Sequence, residues 1–206
     1  MGTGQISLSE NGLYSAEHRA LRELNAMVRQ LIGHWHKLGK RLGGDAGAVL
    51  ARGAGAAREL LEELTHHCTT RGIEVFPAAQ GVGGGAAGLR GVSDLLLERN
   101  QALRSAVHDL QHVTMLLGYL GELAAARGDA ALAAWHRSWE ERLLVVEAEA
   151  RGASVAEGRD PERAIEPAEP GKAGRAGHAV ANGLGTLGEA LDGSPVGRAA
   201  RKLRGQ

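Results

Sequence analysis

The amino-acid sequence predicts an all-α fold: an antiparallel four-helix bundle over residues 15–151, with a polar lead at 1–14 and a loosely structured C-terminal extension at 152–206. Two observations carry that prediction. Apolar residues recur at alternating steps of three and four in four separate segments, which is the period of one helical face. Glycine and aspartate stand together at two of the breaks, where one helix stops and the next is capped. A helix with a single apolar stripe buries nothing alone, and four such stripes turned inward make a bundle.

The first helix is expected at about 15–42, on the stripe Leu21, Leu24, Val28, Leu31, Trp35, Leu38 and Leu42. "GGDAG" at 43–47 ends it, and Asp45 is read as the cap of a second helix at about 46–71. That helix carries Leu50, Ala54, Ala57, Leu61, Leu64 and Cys68 on its stripe. Gly53 and Gly55 lower its intrinsic stability by up to about 1 kcal/mol each, and close approach of a neighbouring backbone is the expected return. A third helix at about 88–126 bears Val92, Leu96, Leu103, Val107, Leu110, Leu117, Gly121 and Ala124. "RGD" at 127–129 is the next hairpin turn, and a fourth helix at about 130–151 follows with Leu132, Trp135, Trp139, Leu143, Val146 and Ala150.

Residues 72–88, "GIEVFPAAQGVGGGAAG", separate the second helix from the third. A helix over 46–71 spans about 39 Å at 1.5 Å per residue, and some 15 extended residues reach about 50 Å. The linker can therefore cross the whole bundle, so an up-down arrangement and a ferritin-like crossover both fit. Past 151, Pro161, Pro167 and Pro170 sit among glycine, alanine and charges with no apolar period, which reads as a linker or a peripheral wrap in which "AIEP" could dock. Val180, Leu184, Leu187 and Leu191 then suggest a short helix before a basic end at Arg198, Arg201, Lys202 and Arg204.

Composition narrows the partners. Twenty-four basic and 24 acidic residues cancel, so no global field draws the 206-residue chain to nucleic acid or an anionic membrane. Three tryptophans, two tyrosines and one phenylalanine are too scattered for a base-stacking platform, and nucleic acid is not an expected partner. The stretch "MGTGQISLSENG" lacks the order of a signal peptide, and no run of 18 apolar residues follows, so a soluble cytoplasmic protein without a transmembrane segment is expected. The lone Cys68 falls on an apolar stripe, where a thiol behaves as a small hydrophobe.

A metal centre inside such a bundle needs inward ligands, with Glu-x-x-His pairs among them. Glu63 and His66 have that spacing, but at about 100° per residue both fall far from the centre of their helix's stripe and are expected to point outward. Aliphatic residues, tryptophan, alanine, glycine and cysteine fill the inward positions, with Glu17 as the exception, and His136 is expected to be partly covered beside Trp135. No cofactor is implied. The stretch "GYLGELAAARGDAALAAWHRSWEERLLVVEA", residues 118–148, resembles in rhythm the last helical hairpin of ferritin-like bacterial stress proteins, without the inward glutamates of that family. The resemblance implies fold, with a degenerate or absent metal site.

"AVHDLQHVTMLLGYL", residues 106–120, resembles the histidine box of two-component phosphotransfer proteins. The resemblance implies His108 as a surface phospho-acceptor, with Gln111 where that family has a basic residue and His112 where it has a small one. On the same outer face His108, His112, Met115 and Tyr119 form a second stripe that begins polar and ends apolar, and that asks to be covered. The functional expectation is a non-catalytic adaptor or scaffold. Its contact surfaces would be that stripe, for a protein partner or a second copy, and the basic end Arg198, Arg201, Lys202 and Arg204, for an acidic partner or membrane headgroups.

Overall fold

The computed structural model describes residues 12–73, 97–169 and 171. Residues 74 to 96, which include Val92 and Leu96 of the expected third helix, and the chain from 172 onward, including the expected short helix, lie outside the described residues, and the third helix begins at Arg99, with Leu97 and Glu98 outside it. The described part is predominantly helical, with four long helices packed against one another and no strand: α1 Ser15–Leu42, α2 Gly44–Thr70, α3 Arg99–Ala126 and α4 Ala130–Ala156. A 3-10 turn at Glu157–Arg159 and a short α5 at Pro161–Ala164 follow. None of these helices is long and apolar enough to cross a membrane.

Each helix begins where local chemistry lets it. Glu98 caps α3 in a reciprocal box: its side chain accepts from the backbone of Gln101, and Gln101 accepts from the Glu98 backbone N–H at 3.2 Å. Asp129 of the RGD turn caps α4 by accepting from Leu132 N at 3.0 Å. The α1–α2 break differs from expectation, because Gly43 is the junction and Asp45 lies inside the first turn of α2. Gly43 takes φ +61°, a left-handed conformation that costs glycine nothing, and no separate cap residue intervenes.

The core is built from the predicted stripes. All seven stripe residues of α1 are buried, as are Leu50, Ala54, Ala57, Leu64 and Cys68 of α2. Leu60 takes the buried place expected of Leu61, which lies only partly covered. Removing side chains of this size from water contributes about 1.5–3 kcal/mol each, so the α1 stripe alone is a major part of the driving force. Extensive contacts join α1 to α2, α3 to α4, α1 to α3 and α2 to α4.

Glycines permit the closest approaches. A Cβ on Gly47 would stand 2.5 Å from the Gly39 carbonyl oxygen, where α1 and α2 part. One on Gly53 would fall inside the Trp35 ring and 2.9 Å from Val146 Cγ1. The alanine and glycine run of α2 thus makes room for the indole of α1 and for α4.

The stretch after residue 151 departs from a loose extension. Helix α4 continues to Ala156, and residues 157–169 wrap onto the start of α3 with fixed partners. Arg99 N donates to Glu166 O at 2.9 Å and Ala168 N to Leu97 O at 3.0 Å, forming a single antiparallel bridge between Glu98 and Pro167. Ala164 and Ala168 are buried beneath it. Arg99, itself buried, donates to Glu157 at 3.3 Å and to the Leu42 carbonyl at 3.3 Å, tying the wrap to α1 and α3 together.

Candidate functional site

Among the described residues, α3 and α4 carry four large apolar side chains that stand exposed within the helices' middle turns. Met115 is 65% exposed and Tyr119 49%, while on α4 Leu144 is 46% and Val145 61% exposed. Leu116, between the two on α3, turns inward and is buried. The level of these residues follows from their neighbours: Gln111 donates to Glu147 at 2.8 Å, and the Glu140 carboxylate lies over Gly118. Met115 lies between Gln111 and Gly118 on one helix, as Leu144 lies between Glu140 and Glu147 on the other, so the two stand at a similar height.

The histidines of the stripe have different settings. His108 is exposed. His112 is half-buried and donates to Glu23 of α1 at 2.8 Å. Gln111, the residue beside His108 that a phosphate would meet, is already committed to the Glu147 carboxylate. Arg198, Arg201, Lys202 and Arg204 lie outside the described residues.

The interior is less uniformly apolar than the stripes imply. Besides Glu17, the residues Asn25, Arg99, Asp109, Thr114 and His136 are buried. Glu17 is wholly buried and accepts two bonds from Arg127, at 3.1 and 2.9 Å. That charge-assisted fork raises the Arg127 guanidinium further above its ordinary range, against the opposing effect of burial. Asp129 accepts from Arg71 at 3.2 Å as well as from Leu132 N. The backbone N–H first, then Arg71 and Arg127, outweigh burial and hold its carboxyl below the usual range. His34 donates to Asp109 at 3.2 Å, about five helical turns away along α1.

His136 corrects its expectation of partial cover. It is wholly buried, and neither ring nitrogen has a hydrogen-bond partner among the described residues. Burial, reinforced by His67 and Arg71 and opposed by Asp129, pushes its pKa down to about 4. Its ring stands against Trp135 at 4.9 Å between centroids, and Trp135 against His67 at 4.5 Å. Burial and the nearby Arg71 lower His67 too.

Glu63 and His66 are both exposed. Glu63 nevertheless turns along α4, where one carboxylate oxygen accepts from Trp135 Nε1 at 2.7 Å and Trp139 Nε1 at 2.8 Å. Partial burial pushes its carboxyl up, but the two indole donors with Arg142 and His67 outweigh it and hold it below the ordinary value. Arg142 lies 3.9 Å over the Trp139 ring and donates to Glu59 at 2.7 Å. Among the described residues no group of three or more His, Cys, Asp or Glu is arranged to hold a metal ion. The histidine and tryptophan pairing at this end escaped sequence reasoning, because it joins α2 to α4 across more than 60 residues of chain. No family model matches the chain, and neither curated proteins nor solved structures give a match to it.

Proposed function

We propose that the chain is a non-catalytic helical-bundle protein that mediates protein–protein association, an adaptor or scaffold, through the outer face of α3 and α4. One observation carries the reading: of the six large apolar side chains that stand exposed among the described residues, Met115 and Tyr119 lie on the outer side of α3, and Leu144 lies beside them on the α4 stripe of Glu140 and Glu147 that meets α3. Clustered exposed apolar side chains rimmed by polar ones are the mark of a contact surface, whereas isolated ones are ordinary. The buried carboxylates support the same reading, since Glu17 is held by Arg127 of the turn after α3 and Asp109 by His34 of α1, two pairs far from each other.

The four helices are read as an antiparallel bundle. Arg52 with Glu149 and Glu63 with Trp139 support opposite directions for α2 and α4, and Glu17 with Arg127 and His34 with Asp109 do so for α1 and α3. The pattern of neighbours, with α1 touching α2 and α3 while α4 touches the same two, favours the ferritin-like order over the up-down one.

Photo-crosslinking tests the association reading. A benzophenone side chain at position 115 or 144 is expected to give one defined protein adduct, identified by mass spectrometry, in cells that make the protein. The same group at Arg58, on the exposed side of α2, is the control. Adducts absent from 115 and 144, or equally abundant at 58, would refute the assignment of the face.

A further inference from the structure

We propose that the occupant of the outer face is a second copy of this chain, paired antiparallel across α3; the inference rests on the association reading above. The residues His108, His112, Met115, Tyr119 and Glu122 follow one another at steps of four, three, four and three. That is the spacing of a seam along which two helices lie side by side. The inner stripe of α3 is used up in the core, so this is a second seam on the same helix, with Met115 and Tyr119 at its apolar centre.

Charge decides the direction of pairing. The seam's N-terminal half carries imidazoles and, one turn before His108, the exposed Arg104, while its C-terminal half carries the exposed Glu122. Parallel pairing would set each end against its own kind. Antiparallel pairing sets the Arg104 and His108 end of one copy against Glu122 of the other, twice over, as a two-fold axis demands of an isologous contact. The same axis, perpendicular to the helices, places α4 beside α4 of the second copy on one side of the seam. Leu144, on the side of α4 that meets α3, therefore extends the apolar centre instead of facing water. A patch with three apolar anchors is small, and interfaces below about 1,200 Å² belong to weak, transient pairs. A dimer that forms in the micromolar range follows.

Sedimentation of the full chain over a concentration series tests it. The weight-average mass is expected to rise from 21.5 kDa toward twice that value. The double variant Met115→Glu/Leu144→Glu is expected to stay monomeric with an unchanged helical circular dichroism spectrum, since both positions are exposed. Direction is read by disulfide trapping, for which Cys68 is silent because it is buried. A mixture of His108→Cys and Glu122→Cys chains should oxidise to the mixed dimer at least fivefold more than to either like pair.

A preference for like pairs overturns the antiparallel arrangement. A wild-type chain that remains monomeric at several hundred micromolar overturns the second copy as occupant, while defined adducts with another protein from positions 115 and 144 would leave the association reading standing. Dimerisation that survives Met115→Glu/Leu144→Glu overturns this face as the seam between copies.

Discussion

Protonation of His136 is the perturbation that most directly probes how this fold is held together. The ring is wholly buried, with His67 and Arg71 nearby adding to the cost of charging it and Asp129 only partly offsetting that cost. In the unfolded chain the imidazole titrates near its ordinary 6.5, and in the folded protein near 4. Between those two values the unfolded state holds a proton that the folded state does not. Stability from this group is therefore fully present above about pH 6.5, falls as the pH drops, and is exhausted near pH 4. One pH unit is worth about 1.4 kcal/mol, so the loss amounts to about 3 kcal/mol. For a chain of this size that corresponds to roughly 6–12 °C in Tm. Chemical denaturation of the wild type and His136→Leu at intervals from pH 7.5 to 4.5 measures it. The carboxylates and His67 titrate in both proteins and cancel in the difference. The leucine variant is expected to lose about 2.5 kcal/mol less over that range. It should also match or exceed the wild type at pH 7.5, because two ring nitrogens without hydrogen bonds are removed from the interior. Parallel pH profiles would refute the reasoning, for they would mean that His136 charges in the folded state as readily as in water.

Other substitutions test the packing and the bundle end. Gly53→Ala is expected to cost about 1–3 kcal/mol, since its Cβ meets the Trp35 ring and Val146 in a filled core; Gly55→Ala, with open space around it, should stabilise α2 by up to about 1 kcal/mol in the same thermal melt. Glu17→Ala removes the Arg127 fork and should lower stability by about 1–3 kcal/mol by denaturant titration, because Arg127 is partly exposed and keeps Asp129 as a partner. Cys68 should resist a thiol-specific reagent in the native protein at pH 8 and react stoichiometrically in denaturant, because burial both shields the thiol and pushes its pKa up to about 11. Prompt reaction in the native state would show that the core around it opens.

Sequence alone determined that four long helices form and most of what the first two bury. The α1 stripe is the clearest case: seven apolar residues at steps of three and four leave only one face to bury, and all seven are in the core. The outer stripe through Met115 and Tyr119 was legible for the same reason, as periodicity within one helix needs no knowledge of its neighbours. Tertiary structure decided the rest. A helix lodged between two others has a second contact face, and this buries His136 and Leu60, one step off the stripes that periodicity marks. The α4 boundary moved from 151 to 156, and the stretch beyond it docked, because the partners of residues 157–168 are Leu97 and Arg99, far away along the chain. Glu17 with Arg127 and Glu63 with Trp135 and Trp139 are likewise separated by 72 residues or more. Local propensity and helical period act over a few turns, whereas the pairing of a buried charge is settled by whichever distant side chain packing brings within hydrogen-bond reach.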